Sequence, residues 1–263
     1  MADTVRRSAS YLLTVTVAVG VWWAVAAVGR LPEYVLPAPD VVGRTLLASL
    51  GALYPHMRVT LREILTGFGL TVFISIPLAL LIAYWTPFER TVYPLIVILQ
   101  LIPKIALAPL FVVWFGFGFV PKVAIVVLLS FFPLVIDSTV GFKSVNPLLL
   151  HLARTMTASE WRIFWRIRLP AALPHIFAGL KVAIAFATVG AIVGEFVGAD
   201  RGLGYMLLRA NGDLNTPLLF AILIVLSGMG MALFMIVEGL ERAVIPWHVS
   251  IRREVAQVER STL

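Results

Sequence analysis

Long apolar runs separated by short polar stretches organise this chain. Tyr11 to about Val28, Leu65 to Tyr84, Val92 to about Phe117, Val123 to Val140, Phe177 to about Val197 and Leu218 to about Val237 are apolar at span length. A bilayer core about 30 Å thick needs roughly 20 such residues in helical form, so the pattern predicts six transmembrane helices and an all-α polytopic membrane protein. The first run could also be the apolar part of a signal peptide, with small residues at Ala24-Val25-Ala26-Ala27. At roughly 18 residues it is longer than the ~7–15 of a signal core, which predicts a retained span.

Polar residues inside and between the runs refine this picture. Asp40 to Leu53 carries apolar residues at helical spacing and predicts a separate helix lying along the membrane surface. The third run is interrupted by Gln100, Pro103, Lys104 and Pro109. Proline frees backbone carbonyls that lipid cannot satisfy, and an ammonium at membrane depth costs a few kcal/mol. Gln100, Pro103 and Lys104 are therefore expected to face a translocation path; the alternative is two shorter helices with Lys104 reaching to the surface. In the fifth run Gly190, Gly194 and Gly198 recur every fourth residue, a helix-packing stripe within one subunit or between two. Glu195 beside it is expected either to line the path or to make a structural hydrogen bond near the outer end.

One block stands apart. His151 to Pro170, HLARTMTASEWRIFWRIRLP, is polar and basic between two apolar runs. Its periodicity is helical but breaks at Thr157-Ala158-Ser159, where Ser159 is a good N-cap for a helix from Glu160. Two short helices with a tight joint form a knob that fits a cleft in a partner. Pro170 and Pro174 are expected to stop the second helix and start the next span.

Composition supports the membrane reading and excludes several functions. Charged residues make up 13% of the 263 residues and mean hydropathy is +0.96, against roughly 25% charged in soluble domains. The net charge of +7 sits in short loops, without a basic stripe interleaved with aromatics, so it reports membrane orientation rather than nucleic-acid binding. With the N-terminus inside, Arg6, Arg7, Arg90, Lys143, the arginines of the polar block, Lys181, Arg242 and the tail arginines fall inside. Arg30, Arg44, Arg58, Arg62, Lys122, Arg201 and Arg209 fall outside. The asymmetry predicts both termini in the cytoplasm: a short N-terminus of residues 1–10, a membrane domain of residues 11–247 with a cytoplasmic loop at 141–175, and a tail of residues 248–263. There is no cysteine and no G-x-x-x-x-G-K-[ST] phosphate loop. His56, His151, His175 and His248 are scattered, and Asp137, Glu195 and Glu238 lie on different spans, so neither a metal site nor a catalytic set is expected on this chain.

The polar block resembles the coupling loop of ABC importer permeases, whose signature is E-A-A-x-x-x-G, a spacer, then I-x-L-P. Here His151-Leu152-Ala153, Thr157 and Ile167-Arg168-Leu169-Pro170 occupy those places with the spacing kept. Further matches to the nitrate/sulfonate/taurine-type branch are Leu36-Pro37-Ala38-Pro39, Pro103-Lys104-Ile105-Ala106, Trp114-Phe115-Gly116, Phe131-Phe132-Pro133, Gly194-Glu195 and Gly202-Leu203-Gly204-Tyr205. The resemblance implies a type I importer permease fold in the bacterial inner membrane. It also implies a homodimeric pair of such chains, two cytoplasmic ATPase subunits carrying the ATP and Mg, an extracytoplasmic substrate-binding protein, and a lipid surround. It implies coupling through His151, Leu152, Ala153, Arg154, Thr157, Ala158, Glu160, Arg162, Ile167, Leu169 and Pro170. An ion-coupled secondary transporter or a channel is the alternative. Threonine at the glycine position disfavours positive φ, which predicts a joint of another geometry or contacts moved to Arg154, Glu160 and Arg162.

Overall fold

The computed structural model describes residues 2–29 and 32–247; the tail at 248–263 lies outside the described residues. Every regular element among them is helical: α1 (Ala2–Val28), α2 (Pro39–Tyr84), α3 (Thr86–Leu99), a 3-10 turn (Lys104–Leu107), α4 (Ala108–Phe115), α5 (Phe119–Lys143), α6 (Pro147–Thr155), α7 (Glu160–Ile163), a π-helical turn (Phe164–Arg168), α8 (Leu169–Gly198), α9 (Leu203–Gly212) and α10 (Thr216–Val244). Four continuous helices are long and apolar enough to cross a membrane: α2, α5, the run Glu160–Gly198, and α10. The expected third span is a helix pair bent by 86° between Thr86–Leu99 and Lys104–Phe115, which gives up to five crossings among the described residues rather than the six expected: the apolar part of α1, Thr16–Val28, is shorter than a crossing.

Two expectations about breaks are corrected. The surface helix expected at Asp40–Leu53 is not separate, because α2 runs unbroken for 46 residues through Pro55 and Pro77. At ~1.5 Å per residue that is roughly 70 Å, about twice the apolar thickness of a bilayer. Continuity holds because Leu53, Thr60, Glu63, Ile64, Gly67 and Thr71 keep one buried stripe across the proposed boundary, while Pro55 and the residue before its turn, Gly51, are on the exposed side. Nor does Pro170 stop the helix from Glu160. The π turn at Phe164–Arg168 shifts the ladder just before the proline, so its missing N–H and its ring are absorbed and one rod continues to Gly198.

The core is a tight α5–α8 pair with α2 laid against it. Small residues make the approach possible. A Cβ on Gly190 would lie 2.8 Å from Val126 Cα, one on Gly194 3.0 Å from Lys122 Cα, and one on Gly67 2.3 Å from Val126 Cγ1. Val126 is thus gripped between glycines of α2 and α8. Gly198 faces Phe117 in the turn before α5, where a Cβ would meet the ring at 2.7 Å. The glycine stripe therefore packs within one subunit. Ile64, Val126, Ile184, Ala187, Ala191, Leu233 and Val237 continue the core toward α10.

The bundle has two distinct ends. Tyr84, at the end of α2, stacks edge-on to Phe164 at 6.2 Å, and the Arg168 guanidinium lies 4.2 Å from the Tyr84 ring centre. The end of α2 therefore lies beside the polar block. His56, well upstream in the same helix, is roughly 40 Å away at ~1.5 Å per residue, at the end where α8 leads into α9. Gly190→Ala should lower the stability of the solubilised protein by about 1–3 kcal/mol through overpacking. Gly228→Ala, where an added Cβ meets nothing within 4 Å, should instead raise it by about 0.5–1 kcal/mol, the gain of alanine over glycine inside a helix. Thermal unfolding of both variants checks this; equal effects would show that the close approach is not limiting.

Candidate functional site

At one end, α6 and α7 form a knob. Asn146 caps α6, its side-chain oxygen accepting from the Leu148 amide at 2.9 Å, with Pro147 at the first helical position. The helix closes when Thr157 turns left-handed at φ 59°. The Thr157 amide donates to Arg154 O at 3.0 Å and the Ala158 amide to Ala153 O at 3.2 Å, satisfying carbonyls that the helix end would leave open. The expectation of another joint geometry is corrected: threonine adopts the positive φ that a glycine would, at a cost of about 1–2 kcal/mol. Its hydroxyl helps, donating to Met156 O at 2.7 Å. Across the joint Arg154 Nε meets Glu160 Oε1 at 2.8 Å. Ser159 caps α7 as expected from the sequence, its oxygen accepting from the Arg162 amide.

The knob leaves an apolar stripe open. Leu148, Leu152 and Met156 stand four residues apart on one face of α6 and are 77%, 58% and 73% exposed. His151 is exposed beside them, and Ala153 and Ala158 are half-buried at the joint. Ile163 is buried and anchors α7, while Ile167, Leu169 and Pro170 are half-buried where the π turn joins α8. The predicted coupling residues thus form one continuous feature.

The opposite end holds a buried polar clamp. Glu195 of α8 is 1% exposed and lies under the first turn of α9. Its carboxylate accepts from the Thr60 hydroxyl at 2.6 Å and from the Gly204 amide. Thr60 in turn accepts from the Leu203 amide at 2.8 Å, and His56 Nδ1 accepts from the Gly202 amide at 3.0 Å. Three amides of the Gly202-Leu203-Gly204 turn are therefore held by side chains of α2 and α8. Gly202, at φ 123°, must be glycine here, since a Cβ would fall within 2.0 Å of the Glu195 carboxylate. Beneath this layer Lys122 Nζ of α5 donates to Glu63 Oε1 of α2 at 2.8 Å, with both side chains buried. Of the two roles expected for Glu195, these bonds describe the structural one.

The predicted path residues do not converge. Lys104 Nζ donates to Gln100 O at 2.7 Å and lies 4.7 Å from the Phe132 ring centre. Its charge is thus held by the chain itself, at the bend where Pro103 opens the 3-10 turn. Phe132 is ten residues beyond Lys122 on α5, roughly 15 Å along the axis, so Lys104 and Glu195 belong to different places. His56, Thr60, Glu63 and Lys122 were not singled out from the sequence. The signal was present: His56, Thr60, Glu63 and Gly67 follow helical spacing and form one small or polar stripe on an otherwise apolar helix.

Residues 75–247 match the family described as the binding-protein-dependent transport system inner membrane component. The chain belongs to this family of ABC importer permeases. It is 40% identical over 226 residues to the formylaminopyrimidine transport permease protein ThiX of Halalkalibacterium halodurans, covering 86% of this chain and 90% of ThiX. It is 37% identical over 229 residues to a probable ABC transporter permease protein of Haemophilus influenzae, with 87% and 94% covered. It is 34% identical over 231 residues to the riboflavin transport system permease protein RibX of Chloroflexus aurantiacus, with 87% and 86% covered. The fold is similar to a chain of the MetNI methionine ABC transporter in an inward-facing form, with TM-score 0.64, 19% identity, and 75% of this chain and 98% of that one covered. The permease is a multi-pass membrane transport subunit, not an enzyme, and the secondary-transporter alternative has no support from these relatives.

Three variants test the geometry. Lys122→Met leaves Glu63 buried without its counter-charge, which should cost the permease about 3–5 kcal/mol. Adding Glu63→Gln should recover most of that, and unchanged unfolding of the single variant would show that the pair contributes nothing. Thr157→Gly should raise stability by up to about 1 kcal/mol, because removal of left-handed strain outweighs the extra unfolded-state entropy of glycine. A loss of stability would mean that the hydroxyl bond to Met156 O dominates.

Proposed function

We propose that this permease forms the membrane path of an ATP-driven importer and couples to its motor through the α6–Thr157–α7 knob. The observation that carries this reading is the exposed Leu148, Leu152, Met156 stripe on a helix whose joint keeps the left-handed turn. An amphipathic helix docks by laying such a stripe into an apolar groove. The groove belongs to a cytoplasmic ATPase chain, present in two copies and carrying the ATP and Mg. Substitution of the family's acidic residue by His151 and of its first alanine by Leu152 shifts the docking from charge to apolar contact. A second copy of this permease completes the path, and both termini lie in the cytoplasm, with residues 11–247 forming the membrane domain. An extracytoplasmic substrate-binding protein delivers the solute to the α9 end.

The cargo is a small heteroaromatic compound. ThiX and RibX, at 40% and 34% identity, are named for a formylaminopyrimidine and for riboflavin. Sulfonates are the other class carried by this branch.

Transport in sealed membrane vesicles tests the reading. Uptake of a pyrimidine or flavin, with the binding protein present, should require ATP and should not run on an ion gradient alone; gradient-driven uptake would overturn it. Ala153→Asp puts a charge into the half-buried joint and should abolish co-purification of the ATPase while leaving membrane insertion intact. Normal co-purification and transport in that variant would remove the coupling role from the knob.

A further inference from the structure

We propose that a cleft at the α9 end, lined by His56, Tyr205, Arg201 and Arg209, is the socket for an acidic side chain presented by the substrate-binding protein. The proposal rests on the importer reading and adds to it a place and a chemistry. The cleft holds about 360 Å3 and lies between α2 and the start of α9. Its aromatic wall is fixed: His56 is tied through Nδ1 to the Gly202 amide, and its ring stacks at 18° on Tyr205 with centres 6.1 Å apart. Two guanidiniums, Arg201 and Arg209, line it against one carboxylate, Asp200. Arg209 is 3.9 Å from Asp213, but that pair is largely exposed and weakly held. Arg58 and Arg62, one turn apart on α2, extend the positive field alongside and are also exposed.

Three points select the occupant. The cleft is roughly 40 Å along α2 from the knob, so a partner there cannot be the chain that takes the knob. Basic residues in multi-pass proteins are concentrated in cytoplasmic loops, so arginines gathered at the other end call for a specific use. A guanidinium presents a planar fork that matches a carboxylate, and surface charge of one sign accelerates arrival of a partner carrying the other. Arg201 and Tyr205 of the lining flank the Gly202-Leu203-Gly204 turn in sequence, and the amides of that turn are held by His56, Thr60 and Glu195. A side chain seated in the socket therefore lies beside the turn that joins α2, α8 and α9.

The test uses the assembled importer in lipid nanodiscs and its purified substrate-binding protein as probe. Association should slow at least about tenfold in R201E/R209E and less in R201Q/R209Q, with a flatter dependence on salt in both. Arg44→Glu reverses an exposed charge on the same helix, outside the cleft, and should stay within about twofold of the unaltered importer. Basal ATP hydrolysis should be unchanged in all three variants. Association of R201E/R209E within about twofold of the unaltered importer, with the same salt dependence, overturns the socket. So does a loss that appears only when anionic lipid is present, which would make the cleft a headgroup site. If the binding protein does not bind the unaltered importer, the importer reading fails and the socket with it.

Discussion

The buried pair of Lys122 and Glu63 is the constraint around which the α9 end of the bundle is arranged. A carboxylate and an ammonium taken out of water each carry a desolvation penalty of several kcal/mol, recovered only if the two stay in contact. Their 2.8 Å contact therefore fixes α5 against α2. Glu195 adds a second carboxylate one layer further out, and it is held by donors rather than by a cation: the Thr60 hydroxyl and the Gly204 amide. Those donors come from α2 and from the start of α9, where helix amides are open and the dipole favours negative charge. Four helices thus meet in one polar knot inside an apolar bundle. Glu63 Oε2 is buried without a hydrogen-bond partner, so the contact of Oε1 with Lys122 is the one hydrogen bond its carboxylate makes among the described residues, which gives the pair little freedom to separate.

Elements that depend on local pattern were legible in the sequence. The apolar runs, the joint at Thr157-Ala158-Ser159 and the Ser159 cap all follow from neighbours a few residues apart. The family was legible too, because the spacing from His151 to Pro170 is itself a local pattern. What was not legible depends on partners distant in sequence. Lys122 reads as a turn residue until Glu63, 59 positions earlier, is placed beside it. Glu195 reads equally as a path residue or a structural one until the α9 amides are placed above it. Two breaks were expected that the structure does not contain. Pro170 looked like a helix stop, but a π turn absorbed it; Asp40–Leu53 looked like a separate helix, but a buried stripe continued beyond it. In both cases tertiary packing overrode a local signal.

Thr157 shows the opposite balance, a local cost accepted for a geometric result. A β-branched residue at φ 59° carries strain that a glycine would not. The turn nevertheless closes with two backbone bonds and a hydroxyl bond, and the Arg154–Glu160 pair spans it. The exposed ion pair contributes little to stability. The direction of α6 relative to α7, and with it the position of the exposed stripe, is therefore set mainly by the backbone turn at the strained residue.

The two ends of the permease are joined by a single rod. From Glu160 to Gly198 the chain is helical without a break, so the knob and the Glu195 clamp sit at the ends of one 39-residue element. The rod cannot slide freely on α5. A Cβ on Gly141 would lie 2.8 Å from His175, one on Gly179 2.9 Å from Asp137, and one on Gly190 2.8 Å from Val126, leaving no slack along the whole contact. Close-packed interfaces of this kind are not continuously deformable. A force applied at the knob therefore moves α5 and α8 together, and relative motion must be taken up where packing is sparser. The sparser places are α1 and the bent pair α3–α4, which touch the bundle over much smaller contacts than α5 and α8 share. The bend at Gln100–Lys104 has its charge held by its own carbonyl and by Phe132. The Gln100 carbonyl travels with the bend, but Phe132 belongs to α5, so a shift against the rigid pair keeps the hydrogen bond of Lys104 and gives up its ring contact.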